Sequence, residues 1–111
     1  MATRVLSWVL ALVFIAAGVP KIIGVTQAVA GFEHFGYSAT FRVLIGLLEV
    51  AGGVALLVPA VALYAAMLLI VIMVGAAWTV LRAGDSVAAP IIVGMLLAVF
   101  AVLRVRTPAP G

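Results

Sequence analysis

The chain has 111 residues, 68% of them hydrophobic and only 8% charged, with a formal net charge of +3. A soluble domain carries about 25% charged residues, so this composition excludes a water-soluble globule and defines a membrane protein. No cysteine is present, which excludes disulfides, thiol redox chemistry and thiolate-bound metals.

Mean hydropathy is +1.49 and the pI about 10.2. The basic residues are Arg4, Lys21, Arg42, Arg82, Arg104 and Arg106. They bracket apolar runs and form no patch, so the high pI does not indicate a nucleic-acid partner. One histidine, His34, and three acids leave few metal ligands. Arginine outnumbers lysine five to one among abundant Ala, Val and Gly, a composition that suits a bacterium with a GC-rich genome and hence a bacterial inner membrane.

The first span is predicted over residues 5–20. Arg4 and the run to Ala16-Ala17-Gly18 also resemble a signal peptide, but three further apolar segments follow, which favours a span. Pro20 and Lys21 close it. Ser7, Ala11, Phe14, Gly18 and Lys21 share one face, at steps of four and three.

Residues 22–40 form the one long loop. Its apolar positions are too interrupted to cross a bilayer, and Phe32, Phe35, Tyr37 and Phe41 suit the headgroup level, where aromatics anchor. A short interfacial helix is expected there, then a turn at Gly36-Tyr37-Ser38. His34 reads as a wet interfacial histidine.

The second span, residues 41–58, is the stretch around which the chain is organised. It is almost unbroken hydrocarbon with one acid, Glu49, at its midpoint. Its helix rises about 27 Å, close to the hydrocarbon thickness of a bilayer. An ionised carboxylate there costs about 3 kcal/mol or more unless it is paired or protonated. Arg42, Gly46, Glu49 and Gly53 fall on one face and must look inward at protein. Lys21 is a candidate partner for Glu49, its stem covering much but not all of the roughly 12 Å by which Glu49 lies below the start of the span, and Arg42 is expected to snorkel outward.

Only Pro59-Ala60 separates this span from the third, residues 61–82, so the two form a tight antiparallel hairpin. On the third, Tyr64, Leu68, Val71, Gly75, Thr79 and Arg82 share a face. Tyr64 and Trp78 read as belt or packing aromatics, with a cavity capped by Trp78 and Thr79 as the secondary idea. Asp85 or Ser86 offers an N-cap for the fourth span, residues 88–104, whose small-residue face is Gly94, Ala98 and Ala101. Residues 105–111 read as a disordered tail.

The expected fold is therefore all-α, a polytopic four-transmembrane-helix bundle in one domain, residues 1–111. Both termini share a side. Basic residues tie at three on each side, and the free amino terminus tips both ends towards the cytoplasm. Gly18, Gly46, Gly52, Gly53, Gly75 and Gly94 are expected to let helices approach closely, or to line a cavity for a lipid tail or quinone ring.

Four segments together resemble a known family. They are Gly18-Val19-Pro20-Lys21, Phe35-Gly36-Tyr37-Ser38, Ile45-Gly46-Leu47-Leu48-Glu49-Val50-Ala51-Gly52, and Pro59 followed by Gly75-Ala76. Over residues 5 to 103 they resemble the DoxX-like family of small four-span membrane proteins. The resemblance implies a bundle in which Lys21 and Glu49, with the glycines around them, are the residues of interest. It also implies association with membrane oxidoreductase complexes, with receptor-assembly or cargo roles among distant relatives. Where family members carry a histidine after the Gly-Ala of the third span, this chain reads Ala77-Trp78-Thr79, so no imidazole role is implied for it.

No nucleophile–base pair, carboxylate pair, phosphate loop or metal spacing is present. Three functions remain. The first is a non-catalytic module that binds a hydrophobic ligand (lipid or quinone) or assembles with a partner membrane protein, with Glu49 and Lys21 as polar anchors and Arg42, Trp78, Thr79 and Tyr64 around them. The second is a quinone-facing subunit beside a redox partner. The third is a small proton-coupled exporter using Glu49. A homo-oligomer is compatible with each, as is bound membrane lipid.

Overall fold

The computed structural model describes residues 2–84 and 86–106, and these form five helices without strands. They are α1 (Ala2–Ile23), α2 (Thr26–His34), α3 (Ala39–Ala55), α4 (Ala62–Arg82) and α5 (Ala88–Arg106). The long axis measures 44 Å, close to the roughly 40–45 Å of a bilayer including its headgroups. Three helices, α1, α4 and α5, are long and apolar enough to cross a membrane. The fourth candidate crossing is a bent pair, α2 and α3, with 115° between its halves.

Two antiparallel pairs make the bundle. α1 lies along α3 and α4 along α5, and thinner contacts between α1 and α5 and between α3 and α4 close the square. Leu10 and Phe14 of α1 meet Ala62, Ala65, Ala66 and Leu69 of α4, Leu97 and Phe100 of α5, and Leu56 of the α3–α4 turn in one buried cluster. Most other large apolar side chains, such as Val5, Leu12, Leu44, Val71 and Met95, point outward. In a bilayer that surface meets lipid, so van der Waals packing of small residues and hydrogen bonds hold the helices together.

The first span is longer than the sequence suggests. Pro20 sits inside α1, and its carbonyl accepts from both Gly24 N (3.0 Å) and Val25 N (3.1 Å). Gly24, at φ +78°, supplies the left-handed residue that ends the helix one turn after the proline. α2 then crosses the end of the bundle, with Ala28, Val29 and Phe32 turned inward and Glu33 and His34 outward. α3 starts at an N-cap, where Ser38 Oγ accepts from Phe41 N (3.1 Å). It ends at Ala55, so Val58 lies in the turn that leads to α4. The Arg104 guanidinium donates to the Pro59 carbonyl in that turn, fastening the end of α5 to it. Val105 and Arg106 belong to α5 and not to the expected tail; residues 107–111 and Asp85 lie outside the described residues. Ser86 Oγ accepts from Ala88 N (3.2 Å) at the start of α5.

Two expected faces are corrected. On α4 the buried residues are Ala62, Ala65, Ala66, Leu69 and Thr79, whereas Tyr64, Leu68, Val71, Gly75 and Arg82 are exposed. The small alanines let α4 approach its neighbours, and the bulkier residues stay outside. On α5 Leu97 and Phe100 turn into the core, while Ala98 is exposed and Gly94 and Ala101 are only half-buried.

Candidate functional site

The polar centre lies between α1 and α3. Gly18, Gly46 and Gly53 are buried and bring the two backbones together. A Cβ on Gly18 would stand 2.7 Å from the Gly46 carbonyl oxygen, and one on Gly46 would stand 2.8 Å from that of Gly18 and 2.9 Å from Lys21 Cβ. A Cβ on Gly53 would meet the Ala11 carbonyl at 3.1 Å and Phe14 Cβ at 3.2 Å. Real side chains at these positions would force the helices apart. Gly52 instead packs on Leu69 of α4.

This approach sets Lys21 opposite Gly46, one turn from Glu49. Helical Cα–Cβ bonds tilt toward the N-terminus. In antiparallel neighbours the Lys21 stem therefore points down the bundle while the Glu49 side chain points up, and they converge. Lys21 Nζ donates to Glu49 Oε1 and forms an ion pair with it. The Glu49 side chain is 2% exposed and that of Lys21 is 23%.

Glu49 stands about 15 Å along α3 from Ala39. At that depth a lone carboxylate or ammonium is costly, and pairing removes the net charge and gives each partner one hydrogen bond. An ammonium has three donors. One is used on Glu49, and among the described residues no other acceptor takes from Lys21.

A second polar contact closes the end of the bundle nearer Lys21. Tyr37 OH and Thr79 Oγ1 are 2.7 Å apart, tying the α2–α3 turn to the last turns of α4. The Tyr37 ring also packs on Phe41 (centroids 4.7 Å) and Phe32 (6.1 Å). Thr79 thus faces inward, whereas its neighbour Trp78 and Tyr64 point outward, 63% and 71% exposed, and do not approach Glu49. Gly75 meets nothing within 4 Å and Gly94 only Met73 Cβ at 3.6 Å, so neither mediates a close helix contact within the chain. Arg42 lies beside Gly24, with its Nη2 3.6 Å from where a Cβ on Gly24 would be. The sequence did not reveal the role of Tyr37, because nothing local distinguishes a phenol that bonds across 42 positions from an interfacial anchor.

Chemically the site is a charge-neutral buried pair with spare donors on its half-buried member. Among the described residues no group of three His, Cys, Asp or Glu side chains comes together to hold a metal.

Helices of this length and apolarity, stacked around a sheltered ion pair, define a multi-pass helical membrane protein. The model of the DoxX-like family matches residues 5–103, and the chain belongs to that family. No curated protein and no solved structure shows a significant match to it.

Proposed function

We propose that the protein is a non-catalytic membrane module that binds a hydrophobic ligand, a lipid or a quinone, or docks the helix of a partner membrane protein. Lys21 makes the polar contact and Glu49 supplies its counter-charge. The observation that carries this reading is the asymmetry of the pair. Glu49 is enclosed, while Lys21 is 23% exposed with donors to spare. A carbonyl or other acceptor on the bound molecule would take one of those donors without breaking the pair. Such a contact gains strength in a medium of low dielectric.

A quinone-facing role beside a redox partner is the same module with a quinone as its ligand, and any electron carrier then belongs to the partner or is the quinone itself. The exporter reading is weaker, because a transport acid must exchange protons along an accessible path and Glu49 is buried against Lys21. The setting that suits this module is a bacterial inner membrane with both termini in the cytoplasm.

The test is purification in native lipid discs, followed by mass spectrometry of everything retained. Wild type is expected to keep a lipid, quinone or protein partner that Lys21→Met loses. A preparation that retains none of these, and that is unchanged by Lys21→Met and Glu49→Gln, rejects the module.

A further inference from the structure

Arg42 is the second cation at the polar end of α1 and α3, and the ion pair does not use it. It is the fourth residue of α3, and its Cβ tilts outward along that helix, so the guanidinium reaches the level of the α1–α2 turn. There it lies against Gly24, whose missing side chain and left-handed φ of +78° leave the backbone bare beneath it. The side chain is half-buried, and Nε is enclosed without a hydrogen-bond partner. Among the described residues no carboxylate or carbonyl accepts from the nitrogens of its guanidinium. Glu49 is committed to Lys21. Glu33 stands at the far end of α2, about 10 Å along that helix from Thr26.

An arginine keeps its charge, and no acid of the described residues pairs with it, so the guanidinium is open to an anion from outside the chain. Two residues past Gly24 begins α2, whose N-cap residue Val25 makes no side-chain cap. The uncapped first amides of α2 and the positive end of its dipole thus follow directly on the glycine that the guanidinium contacts.

We propose that Arg42 binds a phosphate oxyanion, and that in the membrane this oxyanion is the headgroup of an anionic phospholipid. The position suits it: the fork of a guanidinium matches phosphate oxygens in two parallel hydrogen bonds, and the turn beside it lies at the end of the bundle where headgroups are found. The inference deepens the binding-module reading and rests on it for a resident membrane ligand.

The experiment is native mass spectrometry of the full chain released from discs of equimolar phosphatidylglycerol and phosphatidylcholine. Wild type is expected to carry phosphatidylglycerol in preference, and Arg42→Gln to lose about tenfold in that preference, the scale of one charge-assisted hydrogen-bonded contact. Arg42→Lys keeps the charge without the fork and should fall between them. Arg82→Gln removes an exposed cation at the same end of the molecule and should match wild type. Helix content by circular dichroism identifies any variant that fails to fold, in which case the Arg42→Lys comparison decides. Equal retention of the two lipids by wild type, or an Arg42→Lys protein indistinguishable from wild type and from Arg42→Gln, overturns the proposal. Displacement of bound lipid by millimolar inorganic phosphate overturns the lipid assignment in favour of free phosphate. Lipid retained in full by Arg42→Gln sinks this site and leaves the module standing, whereas a wild type that retains no lipid, quinone or partner sinks the module as well.

Discussion

Lys21 of α1 donates to Glu49 of α3, and the acid is 2% exposed where the base is 23%. The inequality predicts unequal mutants. Lys21→Met strands a carboxylate in an enclosed site and should cost about 3 kcal/mol, as for breaking a buried pair. Glu49→Gln leaves an acceptor for Lys21, whose stem can also carry the ammonium towards water, and should cost about 1 kcal/mol. The double variant Lys21→Met/Glu49→Leu should recover most of the loss. Reversible unfolding in mixed micelles of mild and denaturing detergent reads all three, and equal losses for the single variants would argue against an enclosed acid.

The glycines divide by what surrounds them. Gly18→Ala drives a methyl group into the Gly46 carbonyl and Val50 and should lose about 1–3 kcal/mol. Gly75→Ala meets nothing within 4 Å and should gain about 0.5–1 kcal/mol from helix propensity. The same unfolding assay measures both, and a matching sign at the two positions would contradict the α1–α3 crossing.

Tyr37→Phe removes the hydroxyl that meets Thr79. The expected result is a local loss of about 1 kcal/mol, seen as faster amide exchange over residues 35–38 with unchanged helix content. Unaltered exchange there would show that the turn is held by its aromatic contacts alone.

On α5, Phe100 is in the core and Ala98 is exposed. Phe100→Ala should cost about 3 kcal/mol through lost packing, while Ala98→Leu should be tolerated within about 0.5 kcal/mol. The reverse order would restore the small-residue face expected from sequence.

These contrasts also mark how far the chain could be read without coordinates. The inward face of α1, from Ser7 to Lys21, was legible because a serine, three small or bulky packing positions and a lysine recur at helical steps in an otherwise uniform run. Glu49 was legible for the same reason: one acid in hydrocarbon has a single sensible direction to point. On α4 that logic misled, because Tyr64 and Arg82 near the helix ends satisfy their polar groups at the surface. Three alanines, chemically quiet, formed the packing face instead. α5 offered no contrast between its sides, so Leu97 and Phe100 could not be told from Leu96 and Val99. The inclusion of Pro20 in α1 depended on Gly24 beyond it, and the Tyr37–Thr79 bond on tertiary proximity that no local pattern encodes.

The central claim is that an ammonium and a carboxylate meet inside the membrane-embedded bundle. Lys21 is the only lysine in the chain, so nitrogen-15 lysine labelling marks one ammonium, and solid-state NMR in lipid bilayers can measure its dipolar coupling to carbon-13-labelled glutamate side chains. A strong coupling to one carboxyl carbon, abolished in Glu49→Gln, corresponds to nitrogen and oxygen about 2.8 Å apart and is the predicted result. A Lys21 signal with no glutamate coupling in folded protein would contradict the account.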